Sequence, residues 1–171
     1  MSEELRPAWS SAFATRALRE LTAVGPIAGL SREWAWGGST GRGVRVAIVD
    51  SGIEADHPAV GGQMRGGVIV SYDGRRRNKV RIEEDDEKID LFGHGTACAG
   101  IIHDLAPEAE LFSVRVLGRD LTGRAMQFAG GLRWAIENDM QVINLSLSTS
   151  RDEYYALFHE LADAAYFKNV M

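Results

Sequence analysis

Apolar and polar positions alternate between two periods along this chain. Residues 9–24 carry Trp9, Phe13, Ala17, Leu21 and Val24 mostly on one helical face, and Gly25-Pro26 ends that pattern. A loose segment, 28–43, follows, with Trp34, Trp36 and a glycine-rich finish. Residues 44–49 are apolar apart from Arg45, apolar enough for a strand buried on both faces of a parallel sheet. A second strand is predicted over 67–72, and 73–90 reads as a charged loop. Beyond it the pattern predicts a helix over 96–105 stopped by Pro107, a strand over 110–117 and an amphipathic helix over 122–138. A strand over 141–147 and a helix over 152–167 complete it. Strands alternating with helices imply an α/β fold with a mostly parallel sheet flanked by helices. Asn169-Val170-Met171 has the look of the opening of a further strand, so the sheet is expected to be incomplete at the C-terminus.

Composition narrows the functional classes. At 171 residues, 45% hydrophobic and 25% charged, the chain can bury a core without disulfide staples. A formal charge of −5 gives no electrostatic case for nucleic acid. The basic run Arg75-Arg76-Arg77, with Lys79 and Arg81, is offset at once by Glu83-Glu84-Asp85-Asp86-Glu87, which reads as a solvated loop. The single cysteine, Cys98, excludes an internal disulfide and suits a reducing compartment. No secretory leader and no membrane-length apolar run is seen, so the expected setting is cytoplasmic, with secretion left open. The glycines at 37, 38, 41 and 43 precede a strand instead of following one, which argues against a phosphate cradle.

Two windows carry candidate chemistry. Val46-Ala47-Ile48-Val49-Asp50-Ser51-Gly52 delivers a carboxylate from a strand into a turn, where open parallel sheets gather their active sites. Gly93-His94-Gly95-Thr96-Ala97-Cys98-Ala99-Gly100 sets an imidazole among small residues near a helix start. Taken singly, Asp50 also reads as a turn or cap residue and His94 as a capping or core histidine. Ser51 is open between a partner of Asp50 and a turn residue. Cys98 lies one helical turn beyond His94, but no further metal ligands stand near the pair in sequence, so no metal is assigned there.

Together these windows strongly resemble the subtilases, the subtilisin-like serine proteases. Asp56-His57-Pro58, Leu105-Ala106-Pro107-Glu108-Ala109 and Ile143-Asn144-Leu145-Ser146-Leu147-Ser148 resemble further segments of the same family in the same order. The resemblance runs from about residue 41 onward, giving a lead-in of 1–40 and a partial catalytic domain over 41–171. It implies a serine endopeptidase in which Asp50 orients His94 and His94 is the general base. It also implies a substrate-binding segment at Ser146, Leu147 and Ser148, with Ser148 where the family usually has glycine. Cys98 resembles the cysteine that the proteinase K branch keeps close beneath its catalytic histidine. Neither the oxyanion-hole Asn nor the Gly-Thr-Ser nucleophile segment of the family is found; the one Gly-Thr pair, Gly95-Thr96, is followed by Ala97. The chain alone is therefore expected to be inactive, as part of a protease, as a half complemented by a second chain, or as a peptide-binding pseudo-protease. Calcium is admitted by the resemblance, without identifiable ligands, and no other cofactor is expected. The implied partner is a peptide or protein substrate, with neither nucleic acid nor membrane. His57, His103 and His159 are expected to be structural.

Overall fold

The computed structural model describes residues 31–73, 79–147 and 151–171. The chain divides into two compact units, Met1–Gly38 and Ser39–Met171. In the first, α1 (Arg32–Trp36) lies within the segment expected to be loose; Ser31 Oγ accepts the Trp34 amide at 3.2 Å and supplies its cap. The helix expected over 9–24 lies outside the described residues.

The second unit is built on a five-stranded sheet in the order β3-β2-β4-β1-β5. Its strands are β1 (Arg45–Asp50), β2 (Met64–Tyr72), β3 (Val80–Glu84), β4 (Glu110–Arg115) and β5 (Val142–Asn144). All neighbouring pairs are parallel except the antiparallel β2–β3 hairpin. The central β1 is buried on both faces, as its apolar stretch from Val46 to Val49 requires. Strand alternation sends Val46 and Ile48 toward one face and Ala47 and Val49 toward the other. The first face packs with Ile53, Leu111 and Ala99 of α2 (His94–Leu105). The second packs with Val70, Val114 and Val116, and with Phe128 and Ala135 of α3 (Ala125–Glu137). Phe158 of α4 (Tyr155–Phe167) closes the margin of that second core.

Several expectations shift, each for a local reason. The presumed charged loop contains β3. Val80-Arg81-Ile82-Glu83-Glu84 is a solvent-facing edge strand whose backbone is satisfied by β2, so its charges do not oppose strand formation. Helix α3 starts at Ala125 and not at 122, because Asp120 Oδ1 holds Thr122 through its amide (3.1 Å) and its hydroxyl (2.8 Å) in a tight turn. Strand β5 spans three residues and not seven; its pairing with β1 ends at Ile48–Asn144, and residues 145–147 leave the ladder toward the site. Beyond α4, Met171 lies against the outer edge of β5, donating to Gln141 O at 2.9 Å and accepting from Ile143 N at 2.7 Å. Among the described residues no helix is long and apolar enough to cross a membrane.

The acidic run is also not simply solvated. Asp85 is buried and pairs with buried Arg115 of β4, Nη2 to Oδ1 at 3.2 Å, while Glu83 pairs with Arg81 at 2.8 Å.

Candidate active site

Asp50 ends β1 and His94 begins α2, and a close backbone approach brings them together. Gly52 turns the chain at φ +116°, a conformation that excludes most side chains. Gly95 then packs on that turn: a Cβ there would stand 2.1 Å from the Gly52 carbonyl oxygen. Only two glycines allow the strand end and the helix start to meet so closely. The result is a histidine whose Nδ1 lies 2.8 Å from both Asp50 oxygens. The Asp50 side chain is fully buried, whereas that of His94 is 40% exposed.

This geometry has a chemical consequence. A carboxylate only accepts, so Nδ1 must donate, which leaves the lone pair on Nε2. Asp50 is held as well: its Oδ1 accepts the Ser51 amide at 2.7 Å, and its carbonyl accepts the amides of Val116 and Leu117. Among the described residues His94 has no hydrogen-bond partner at Nε2.

Asp90 organises the other side of the site and was missed in the sequence. Its Oδ2 accepts both the amide (2.8 Å) and the hydroxyl (2.7 Å) of Thr96, capping α2 from six residues upstream. Its Oδ1 takes the Ser51 hydroxyl at 2.7 Å and the Phe92 amide at 3.0 Å. Ser51 Oγ lies farther from Asp50, at 3.2 Å, so its single proton goes to Asp90, and the serine ties the two aspartates into one network. Burial pushes the Asp90 carboxyl up, but hydrogen bonds from Gly93, Phe92 and Thr96 outweigh it and lower its pKa to about 2. The helix therefore starts two residues earlier than the sequence predicts, at His94. The available signal was an acid preceding a Gly-x-Gly-Thr turn, but its reach over six residues falls outside the usual capping spacing.

Cys98, half-buried, places Sγ 4.0 Å from His94 Nδ1 and 3.7 Å from Ser146 Oγ. The candidate substrate segment thus lies beside the Asp50–His94 pair. Leu147 lines a mostly apolar pocket of about 320 Å³ with Leu145, Phe128, Tyr155 and Phe158, with Arg151, Asp152 and His159 also in its wall. Ser148 lies outside the described residues. A larger cleft of about 770 Å³ runs along the other side of α2 past Phe92, Ala97 and Ile101, without contribution from Asp50 or His94. The remaining histidines are engaged locally. His57 Nδ1 accepts the Ala59 amide at 3.2 Å, His103 lies against Gly61, and exposed His159 stacks on Tyr155.

Comparison with known proteins decides the family: the model for the Subtilase family matches residues 41–168. The chain belongs to the subtilase family. An intracellular serine protease of Paenibacillus polymyxa is 34% identical over 128 residues, covering 68% of this chain and 36% of that protein. Subtilisin BL of Lederbergia lenta is 39% identical over 121 residues, covering 66% of this chain and 40% of the relative. The minor extracellular protease Epr of Bacillus subtilis is 32% identical over 148 residues, covering 80% of this chain and 20% of that protein. This subtilase chain thus spans well under half the length of these relatives. A cold-adapted subtilisin-like serine proteinase shares the fold, with a TM-score of 0.55 at 24% identity over 75% of this chain and 45% of that one.

Proposed function

We propose that this subtilase chain carries the general-base half of a serine endopeptidase site, with His94 as base and Asp50 as its orienter. The observation that carries the reading is the bond from His94 Nδ1 to a fully buried carboxylate, 2.8 Å to each oxygen, beneath a ring that is 40% exposed. In that arrangement Nε2 takes the proton of an attacking serine hydroxyl and returns it to the leaving amine. Asp50 holds the tautomer and stabilises the imidazolium formed between those steps. Burial keeps the carboxylate away from competing water, so its attraction for the imidazolium is weakly screened.

Substrate binding is assigned on this reading to Ser146 and Leu147, supported by Ser146 Oγ at 3.7 Å from Cys98 Sγ, one turn beyond the base, and by the pocket beside Leu147, which offers room for an apolar side chain. Extended backbone pairing along residues 146–148 is the expected mode of binding. The nucleophile and the oxyanion donor come, on this reading, from polypeptide other than these 171 residues, since the sequence holds no matching Gly-Thr-Ser segment. The bare Nε2 among the described residues favours the same view over a complete site. A reducing compartment suits the single free thiol.

A fluorophosphonate probe tests this directly. The isolated chain should remain unlabelled. Mixed with, or fused to, a polypeptide bearing the subtilase nucleophile segment, it should support labelling of that serine, and Asp50→Asn or His94→Ala should abolish the effect. Labelling of the isolated chain overturns the assignment of the nucleophile elsewhere. Labelling of the combined protein that ignores both substitutions overturns the roles of Asp50 and His94. Peptide binding without labelling in any combination would favour a pseudo-protease.

A further inference from the structure

The sequence left His94 and Cys98 as a two-ligand pair, and the fold adds a third ligand. Asp50, His94 and Cys98 bring a carboxylate oxygen, Nδ1 and Sγ within 4.8 Å of one another, the one such group of three His, Cys, Asp or Glu donors among the described residues. We propose that these three side chains form a site for a thiophilic divalent cation of the zinc class, whose occupation excludes the Asp50–His94 hydrogen bond.

The distances favour it. Metal–ligand bonds of about 2.0–2.3 Å in a tetrahedron set the donor atoms roughly 3.3–3.8 Å apart. His94 Nδ1 is 2.8 Å from Asp50 and 4.0 Å from Cys98 Sγ, so the first separation must open and the second close by about half an ångström or less to reach that geometry. The Asp50 oxygen and Sγ, within 4.8 Å of each other, must close by up to about 1 Å. Carboxylate and thiolate together match the charge of a divalent ion. The sulfur selects a zinc-like metal over calcium or magnesium, which prefer all-oxygen sets. Access is from the exposed His94 side, with buried Asp50 as the floor and a fourth position left for water.

Binding moves protons in a definite way. The thiol proton leaves to solvent, and the imidazole proton shifts from Nδ1 to Nε2 as Nδ1 becomes a ligand. Nε2 then carries a hydrogen where a general base needs a lone pair, so the bound metal holds the base inactive. That consequence rests on the catalytic reading above; the metal site itself does not.

Cobalt(II) added to the intact chain reads the site without any protease assay. The expected result is a near-ultraviolet thiolate-to-cobalt band with visible d–d bands of tetrahedral intensity, saturating at one equivalent and displaced by zinc. Cys98→Ala should lose the near-ultraviolet band while keeping the wild-type circular dichroism. Asp50→Asn and His94→Gln should each weaken affinity by at least about tenfold, as loss of a ligand requires. With zinc, the downfield proton resonance of the Nδ1–H···Asp50 bond should vanish. No thiolate band in the wild type, or equal affinity in both Asp50→Asn and His94→Gln, overturns the three-ligand site. A persistent Nδ1–H resonance at saturating zinc overturns the exclusion. Either failure leaves the fluorophosphonate result untouched, so the two proposals fail separately.

Discussion

Gly95 meets Gly52 backbone to backbone, with room for no more than a hydrogen between them: a Cβ on Gly95 would lie 2.1 Å from the Gly52 oxygen and 3.1 Å from Asp50 Cβ. The contact joins the end of the central strand to the start of α2, and it sets the span across which Asp50 and His94 bond. Gly95→Ala is accordingly expected to destabilise the fold by about 3 kcal/mol through overpacking against rigid backbone. Gly66→Ala, whose Cβ would meet nothing closer than Phe112 at 4.0 Å, should stay within about 0.5 kcal/mol of wild type. Urea unfolding of the two variants compares them. Equal stability would refute the packing argument.

The network through Asp90 predicts a pH dependence with a definite sign. Its folded pKa is lowered to about 2, below the ordinary aspartate value of 3.8, so the stability it confers is fully present above the unfolded value. That contribution is lost as pH falls from about 4 toward 2. Thermal unfolding across that range should show the wild type losing part of its advantage over Asp90→Asn as the carboxyl protonates. A constant difference between the two would contradict the assignment. At neutral pH, Asp90→Ala should cost about 1–2 kcal/mol, as loss of a helix cap does.

Asp85 and Arg115 form a buried pair that is incompletely satisfied: among the described residues neither Asp85 Oδ2 nor Arg115 Nε has a hydrogen-bond partner. Arg115→Met leaves a buried carboxylate without its cation and should cost about 3–5 kcal/mol. The double variant Asp85→Leu with Arg115→Met should recover most of that loss, because two desolvated charges are removed together. Chemical denaturation of the three proteins measures the recovery; a double variant as unstable as the single one would mean that the ion pair itself holds β4 to the 85–87 turn.

In a protease assembled with a nucleophile, Asp50→Asn should lower kcat by about four orders of magnitude while leaving KM nearly unchanged. The amide imposes the wrong imidazole tautomer without removing the hydrogen-bonded contact. Steady-state kinetics on a short peptide substrate gives the split. A change confined to KM would assign Asp50 to substrate binding instead.

The apolar run of β1, the amphipathic period of α3 and the two windows around Asp50 and His94 were readable in the chain, because each rests on residues close in sequence. Local periodicity reports which face of an element is buried, and short motifs report which side chains are placed at its ends. The identity of the family followed from those windows and their order. Strand β3 escaped that reading: its charges suit an edge strand as well as a loop, and the pairing with β2 that decides between them is not a local property. The short span of β5 and the burial of Asp85 depended likewise on neighbours distant in sequence. The site followed the same division. Asp50 and His94 were visible as chemistry-bearing residues, whereas the Ser51–Asp90–Thr96 network and the approach of Cys98 to both needed the close packing of Gly95 on Gly52. Composition and periodicity assign residues to strands, helices and faces; contacts between those elements arise only when the faces close on one another, because hydrogen bonds and metal–ligand distances are set by the packed backbone.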